Sequence, residues 1–86
     1  MPVVSAFFGI IIRMYFDDHA PPHFHAEYQG EQAAFDFQGK LLVGYIRSAT
    51  ARKLIRQWAR DRQLELAANW QRSKALDPLL HIAPLE

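Results

Sequence analysis

The sequence predicts an α+β fold, in which an N-terminal antiparallel β-meander of about four to five strands precedes one or two helices packed on one face of the sheet. Up to about residue 46, short runs of β-branched and aromatic residues alternate with turn residues, which is typical of strands. From Ser48 onward, apolar residues recur at helical spacing. Strands followed by helices favour a layer of helices on an antiparallel sheet.

Length and composition restrict the function classes. Eighty-six residues fit one domain, which we place at residues 1–86. Half of the residues are apolar and 13% are aromatic, which argues against a disordered chain. Without cysteine, disulfides, cysteine-ligated zinc and a thiol nucleophile are excluded. We expect a cytoplasmic protein without a membrane span, because the apolar run at residues 3–12 is shorter than the roughly 20 residues that a span needs.

Five strands are predicted from the positions of turn residues. They cover residues 3–8, 10–16, 23–28, 31–37 and 41–46. Gly9 separates the first two strands. Pro21-Pro22 excludes a helix before the third strand, because the residue before a proline is pushed towards extended geometry. Gln29-Gly30 and Gln38-Gly39 supply the next two turns.

Helical spacing begins after the fifth strand. The apolar residues of one helical face are Ala51, Leu54, Ile55, Trp58 and Ala59. Either Ser48 or Thr50 can serve as the N-cap of this helix. We expect Trp58, and Trp70 further along the chain, to anchor the helices on the sheet.

A second helical segment covers about residues 62–76. Its apolar side is formed by Leu66, Ala67 and Trp70. Asp61 is its candidate N-cap, and one long kinked helix over both segments is the alternative. Asp77-Pro78 ends the helix. The last residues, 79–85, form an extended tail that Pro84 confines to a sheet edge.

The register of the second and third strands follows from keeping apolar residues on one face, because a one-residue slip turns every side chain over. Pairing Asp17 with His23 satisfies this rule, whereas pairing Asp18 with His23 mixes the faces. The polar pairs are then Arg13–Glu27, Tyr15–His25 and Asp17–His23, and the apolar pairs are Ile12–Tyr28, Met14–Ala26 and Phe16–Phe24. Across the next turn His23 pairs with Asp36, so we expect His23 to lie between Asp17 and Asp36.

A metal site is the first hypothesis for this polar face. His23 and His25 form a His-x-His on one strand face, and neutral imidazole suits zinc, iron or nickel. The candidate ligands are Asp17, His23, His25 and Asp36, with His19 as a further ligand from the loop. The alternative is a polar sheet surface on which carboxylates only hold the histidines by hydrogen bonds.

Metal-free acid–base chemistry is the second hypothesis. A histidine flanked by aspartates, with Tyr15 beside His25, can transfer protons. The candidate catalytic residues are His23, His25 and Tyr15, and Arg13 would stabilise charge in a phosphodiester-cleaving reaction. The serines lie elsewhere in the chain, so nucleophilic hydrolysis has little support.

Charge is segregated although the formal net charge is only +1. Residues 17–36 hold five carboxylates and no Lys or Arg, whereas residues 47–62 hold six cations against Asp61 alone. A stripe on the helix is formed by Arg52, Arg56 and Arg60 at every fourth position, with Lys53 alongside. Such a stripe can contact nucleic-acid phosphates or an acidic partner, including the 17–36 face of another copy in a homo-oligomer. A solvated helix face is the alternative.

Several segments resemble a known family. Several segments are similar to the domain-of-unknown-function family 4160: residues 1–10, residues 14–28, the pairs Trp58-Ala59 and Asn69-Trp70, and the ending Ile82-x-Pro84-Leu85. The likeness covers essentially the whole chain, and the segment Pro-Pro-His-Phe-His-Ala at residues 21–26 is specific. The resemblance implies a small uncharacterised prokaryotic protein without assigned catalytic residues. It also implies a second small family beside it, in a pairing reminiscent of toxin–antitoxin modules.

The sequence therefore favours a non-enzymatic binding or regulatory module that acts with a small partner protein, and with nucleic acid through the basic segment 47–62. A small metal- or His-dependent hydrolase or nuclease is the alternative function. That alternative requires the rings of His23 and His25 to converge in a concave site. A third interpretation gives the conspicuous hairpin a purely structural role.

Overall fold

The computed structural model describes residues 2–86 and has the predicted α+β architecture. The strands are β1 (Val3–Phe7), β2 (Ile10–Arg13), β3 (His23–Tyr28), β4 (Glu31–Asp36) and β5 (Leu41–Gly44). They form one antiparallel sheet in the order β1-β2-β3-β4-β5. The helices α1 (Ala49–Asp61) and α2 (Gln63–Lys74) follow the sheet in the chain. The predicted fold class is confirmed.

The core lies between one face of the sheet and the two helices. In β3, Phe24 and Ala26 are buried while His25 is partly exposed, which is the alternation expected of a sheet covered on one face. Trp58 is completely buried, with its ring centroid 5.6 Å from that of Phe7 and 5.4 Å from that of Phe24. Its indole N–H donates to the carbonyl oxygen of Ala83 at 2.9 Å. Trp58 therefore anchors α1 on the sheet, as predicted.

The chain forms two helices rather than one kinked helix. Arg62 separates them with φ −120° and ψ 28°, and its N–H bonds the carbonyl of Ala59. Ser48 is the N-cap of α1, because its hydroxyl accepts the N–H of Ala51 at 3.0 Å. The predicted cap at Asp61 is wrong, since Arg62 holds the N-cap position of α2 without a side-chain bond. Within residues 2–86, neither helix is long and apolar enough to cross a membrane.

The buried face of α2 contains polar residues that the periodicity did not predict. Leu66 and Trp70 are buried as expected, but Asn69 and Ser73 are buried too, whereas Ala67 is exposed. The Ser73 hydroxyl donates to the carbonyl of Trp70 at 2.7 Å, so its burial leaves no unpaired group. Asn69 is buried because its amide binds the C-terminal tail.

The tail at residues 79–85 lies along the outer edge of β1. The N–H of Ile82 donates to the carbonyl of Val4 at 2.7 Å, and the Ile82 side chain is 2% exposed. Asn69 holds the same segment from α2: its Nδ2 donates to the Leu80 carbonyl at 2.8 Å, and its Oδ1 accepts the Leu80 N–H at 3.0 Å. The tail thus meets a sheet edge, as predicted, through the bond between Ile82 and Val4.

Candidate functional site

The predicted register of β2 and β3 is wrong by two residues. Arg13 lies opposite His25, whereas the prediction placed it opposite Glu27. A shift of two residues leaves each side chain on its predicted face, so sorting by hydrophobicity cannot tell the two registers apart. The strand β2 also ends at Arg13 instead of residue 16, and Phe16 is 44% exposed rather than paired with Phe24.

The segment after β2 leaves the sheet because α2 holds it. The N–H of Asp17 donates to the carbonyl of Ser73 at 3.2 Å, and the Lys74 ammonium donates to the carbonyl of Asp18. The Asp17 side chain is 74% exposed, and its Oδ1 lies 3.8 Å from Lys74 Nζ. Asp17 therefore faces α2, and its predicted position beside His23 is wrong.

Asp36 does lie opposite His23, as predicted. Its carboxylate, however, organises the turn between β4 and β5, because Oδ1 accepts the N–H groups of Gln38 and Lys40, each at 2.9 Å. Among the residues that the structure describes, the ligand-type side chains that gather around His23 are those of Asp18 and His25. Asp36 thus has a structural task and is not part of the gathered group.

Asp18 takes the place that the sequence assigned to Asp17 and Asp36. Its Oδ2 lies 2.9 Å from His23 Nε2 and 3.2 Å from His25 Nε2. We call Asp18, His23 and His25 the aspartate–histidine cluster; one ligand atom from each lies within 4.8 Å of the others. Sequence reasoning missed Asp18 because it extended β2 through this segment. The nearby Pro21-Pro22 was a signal that the chain had already become a loop.

His23 is held in one orientation. Its side chain is 4% exposed, and its ring centroid lies 5.5 Å from that of Trp70. Nδ1 lies 2.7 Å from the carbonyl oxygen of Pro21, which can only accept a hydrogen bond, so Nδ1 carries a hydrogen. Nε2, the other ring nitrogen, points at the carboxylate of Asp18.

Asp18 is kept ionised by its neighbours. Burial raises the pKa of Asp18, but hydrogen bonds from His25 and from the His19 backbone, together with the charges of His23 and His25, outweigh this effect and hold the pKa below its ordinary value. Oδ1 accepts the His19 backbone N–H at 2.9 Å. The His19 side chain is 85% exposed, which agrees with its predicted loop position.

A shallow cavity of about 450 Å³ lies beside His25 on the open face of the sheet. Its lining residues are Arg13, Tyr15, His25, Ala26, Glu27 and Gln32. Tyr15 contacts His25 edge-on, with ring centroids 4.4 Å apart, and Arg13 forms an ion pair with Glu27. Both predicted contacts therefore form despite the shifted register, because side chains diagonal to each other across two strands are still within reach.

The rings of His23 and His25 lie close together, with centroids 5.0 Å apart, but His23 is 4% exposed and does not line the cavity beside His25. The hydrolase hypothesis requires both rings to converge in a concave site, so this geometry meets it only in part. No serine supplies a nucleophile to the cluster among the described residues: the hydroxyls of Ser48 and Ser73 make helix hydrogen bonds, and Ser5 is buried in the sheet. The hydrolase or nuclease hypothesis stays a prediction.

The basic stripe on α1 divides into a structural residue and exposed ones. Arg52 Nη1 donates to the carbonyls of Ile46 and Arg47, the latter at 2.9 Å, and its guanidinium carbon lies 5.2 Å from the centre of the Tyr45 ring. These contacts fasten the connection between β5 and α1. Arg52 is therefore engaged within the chain and contributes less to a contact surface than the sequence predicted.

Lys53, Arg56 and Arg60 form the exposed remainder, which we call the basic patch. In the part of the chain that the structure describes, no carboxylate lies within 4.0 Å of their side-chain nitrogens. Arg56 packs on the turn that leads into β5. Only glycine fits at Gly39 there, because φ is +89° and a Cβ atom would lie 2.6 Å from Arg56 Cγ.

The strand β5 is an exposed edge of the sheet. All four of its residues are exposed, with Val43 at 67% and Leu42 at 41%, and Tyr45 beyond it is 54% exposed. A groove of about 430 Å³ separates β5 from α1; its lining residues are Phe35, Gln38, Gly39, Lys40, Leu41, Arg52, Arg56 and Arg60. The sequence predicted the strand but not its exposure, because a continuous apolar run is also typical of a strand buried on both faces.

Residues 9–71 match the family model described as Domain of unknown function (DUF4160). The chain belongs to this family. The resemblance found in the sequence is thereby confirmed, and the match includes the aspartate–histidine cluster, β5 and the basic patch. It does not include the C-terminal tail. Comparison with curated proteins and with solved structures gives no match.

Proposed function

We propose that this protein is a binding module that receives an extended, acidic segment of a small partner protein along the outer edge of β5. The observation that carries this proposal is an exposed edge strand with apolar side chains beside the basic patch. The second small family implied by the sequence resemblance is consistent with such a partner.

Backbone chemistry supports a strand as the bound element. In residues 2–86 no strand pairs with β5 on its outer side, so that edge presents backbone N–H and C=O groups without a sheet partner. An extended peptide can satisfy these groups by adding one strand to the sheet, and its alternate side chains then give specificity. The exposed side chains of Leu42 and Val43 supply apolar surface for the same contact.

Charge supports an acidic partner rather than a second copy of this chain. Two copies joined through β5 would bring two basic patches towards each other, which costs free energy. The acidic 17–36 face has little charge to offer another copy, because its carboxylates bind within the chain. Glu27 pairs with Arg13, and Glu31 accepts the Arg47 backbone N–H at 2.8 Å. An acidic segment in the groove beside β5 instead meets Arg56 and Arg60.

The direct test is a titration of the isotope-labelled full chain with a synthetic peptide of alternating valine and glutamate, followed by NMR. We expect chemical-shift changes at β5 and the basic patch, and slower amide exchange along β5. Binding should weaken as salt rises, because salt screens exposed charges, with a Debye length of about 10 Å at 0.1 M. A peptide of alternating valine and lysine is the control, and it should bind more weakly.

Two exposed valines provide matched variants. Val43→Glu places a negative charge on the β5 edge, whereas Val3→Glu places the same charge on β1, where Val3 is 50% exposed. Burial of one valine side chain under the bound peptide is worth roughly 1.5 kcal/mol, so we expect Val43→Glu to weaken peptide binding about tenfold. Val3→Glu should leave binding unchanged. Equal effects of both variants would contradict binding at this edge.

Variants of the basic patch distinguish a protein partner from a nucleic-acid partner. The double variant Arg56→Glu and Arg60→Glu should weaken peptide binding and make it less sensitive to salt. In a parallel titration, a DNA or RNA oligonucleotide that shifts α1 resonances, with a steep salt dependence and no change at β5, would favour a nucleic-acid partner and overturn the proposed strand addition.

A further inference from the structure

The three side chains of the aspartate–histidine cluster bring their ligand atoms within 4.8 Å of one another. A metal ion with bonds of about 2.0–2.2 Å and tetrahedral or octahedral angles holds neighbouring ligand atoms about 2.8–3.6 Å apart. The two separations at Asp18 Oδ2 are 2.9 Å to His23 Nε2 and 3.2 Å to His25 Nε2. Both separations at Asp18 therefore lie within the range of a coordination sphere.

Hydrogen bonding at the far side of His23 fits the same interpretation. Metal-binding histidines generally donate the hydrogen of their other ring nitrogen to a carbonyl or carboxylate, which fixes the tautomer and the ring orientation. His23 Nδ1 makes this bond to the Pro21 carbonyl at 2.7 Å, and Trp70 packs against the ring. The ring is thus oriented with Nε2 towards Asp18 before any ion arrives.

Both histidines approach the same oxygen of Asp18, through Nε2 in each case. His23 Nδ1 is committed to the Pro21 carbonyl, so Nε2 is the ring nitrogen left to act as a metal ligand. A metal ion would bind the Nε2 atoms of His23 and His25 together with the carboxylate.

We infer that the aspartate–histidine cluster is a binding site for a divalent transition-metal ion, with zinc as the best chemical match. Two imidazoles and one carboxylate are ligands that zinc accepts, and three protein ligands leave coordination positions open. His19 lies beside the cluster: its ring centroid is 5.3 Å from that of His23, and its Nδ1 is 3.1 Å from Asp18 Oδ1. This site is independent of the proposed partner edge at β5.

Zinc titration of the chelator-treated full chain by isothermal calorimetry tests this inference. We expect one zinc ion per chain, with shifts in the NMR signals of His23 and His25. Loss of an outer-shell partner typically weakens metal binding by about 10–100-fold, so His25→Ala and Asp18→Asn, which remove ligands, should weaken it at least that much. His81→Ala is the matched control, because His81 is an exposed histidine on the tail.

Two readouts separate metal binding from a structural role of the cluster. The first readout is thermal melting with and without zinc. Zinc should raise the melting temperature of the parent and of His81→Ala but not that of His25→Ala or Asp18→Asn. Cobalt(II) added in place of zinc should give absorption bands that disappear in the same two variants. Equal zinc affinity in the parent and His25→Ala, or no histidine shift at millimolar zinc, would overturn the metal site.

Discussion

The two edges of the sheet differ in whether the chain covers them. At β1 the chain covers its own edge, since the tail bonds Val4 through Ile82 and buries that side chain. At β5 all four residues are exposed, and the neighbouring cations of the basic patch have no carboxylate within 4.0 Å among the described residues. An exposed edge strand is a liability in a sheet unless it has a partner. The difference is the basis for the proposal that β5 receives a partner, whereas the chain itself covers β1.

The regions around β1 and β5 also differ in how far their polar groups are bonded within the chain. On the β1 side, backbone polar groups of the tail are bound by the side chains of Asn69, Trp58 and Arg62. On the β5 side, Arg47 and Arg52 bind back to the chain, whereas the basic patch has no carboxylate within 4.0 Å among the described residues. Stability should therefore be sensitive to substitutions around the tail and tolerant of substitutions along β5. The first two of the four predictions below test this difference.

The largest effect is expected for Asn69→Ala. This change removes the hydrogen bonds of Asn69 to the N–H and C=O of Leu80 and to Arg72, and each hydrogen bond contributes about 0.5–1.5 kcal/mol. We expect the free energy of unfolding to fall by about 1.5–4.5 kcal/mol in urea titration. Gln71→Ala, at an exposed position on the same helix, is the control and should change stability little. A small effect of Asn69→Ala would show that the tail does not close the β1 edge in solution.

Truncating one valine on each edge strand compares how much the two edges contribute to stability. Val4 is 1% exposed on β1, whereas Val43 is 67% exposed on β5. We expect Val4→Ala to cost about 1.5–3 kcal/mol of unfolding free energy, and Val43→Ala to stay within about 0.5 kcal/mol, both measured by chemical denaturation. Comparable losses would mean that β5 is covered in the isolated protein.

The single structural cation of the stripe should be separable from the exposed ones. Arg52→Met removes the hydrogen bonds to the Ile46 and Arg47 carbonyls and should lower the unfolding free energy by about 1–2 kcal/mol. Lys53→Met, at the adjacent exposed position, should remain within about 0.5 kcal/mol. Thermal melting of both variants measures this difference, and Arg52→Met should have the lower melting temperature. Equal melting temperatures would contradict a structural role for Arg52.

The smallest effect is expected at the aspartate–histidine cluster. There the carboxylate of Asp18 joins the loop before β3 to His23 and His25 of that strand. The pKa of Asp18 lies below the ordinary value of 3.8, so its contribution to stability is fully present above pH 3.8 and is lost as the pH falls through the lowered pKa. In chelator, the stability difference between the parent and Asp18→Asn should therefore shrink in acid. A difference that does not change with pH would argue against ionised Asp18 in the cluster.

Much of the fold could be read from the residues because its signals are local. The positions of Gly9, Gly30 and Gly39 and the change from strand to helical spacing predict the elements in order, and the structure confirms them. Alternation also placed His23 and His25 on one face and paired His23 with Asp36. Strand ends and caps were less predictable, because β2 ends where α2 captures the next segment.

The candidate site depended on contacts between distant parts of the chain. The sequence placed Asp17 beside His23, but the backbone bond from Asp17 to Ser73 turns that residue away and brings Asp18 to both histidines. These bonds join residues more than fifty positions apart, so no local pattern could reveal them.

The sequence by itself determined which residues form strands and helices and which face most strand side chains occupy, since alternation, turns and helical spacing act over a few residues. Only the tertiary structure decided the register of β2, the choice of Asp18, the closure of β1 and the exposure of β5. Registers that differ by two residues sort the faces equally well, and an edge is defined only when the whole sheet and tail are assembled.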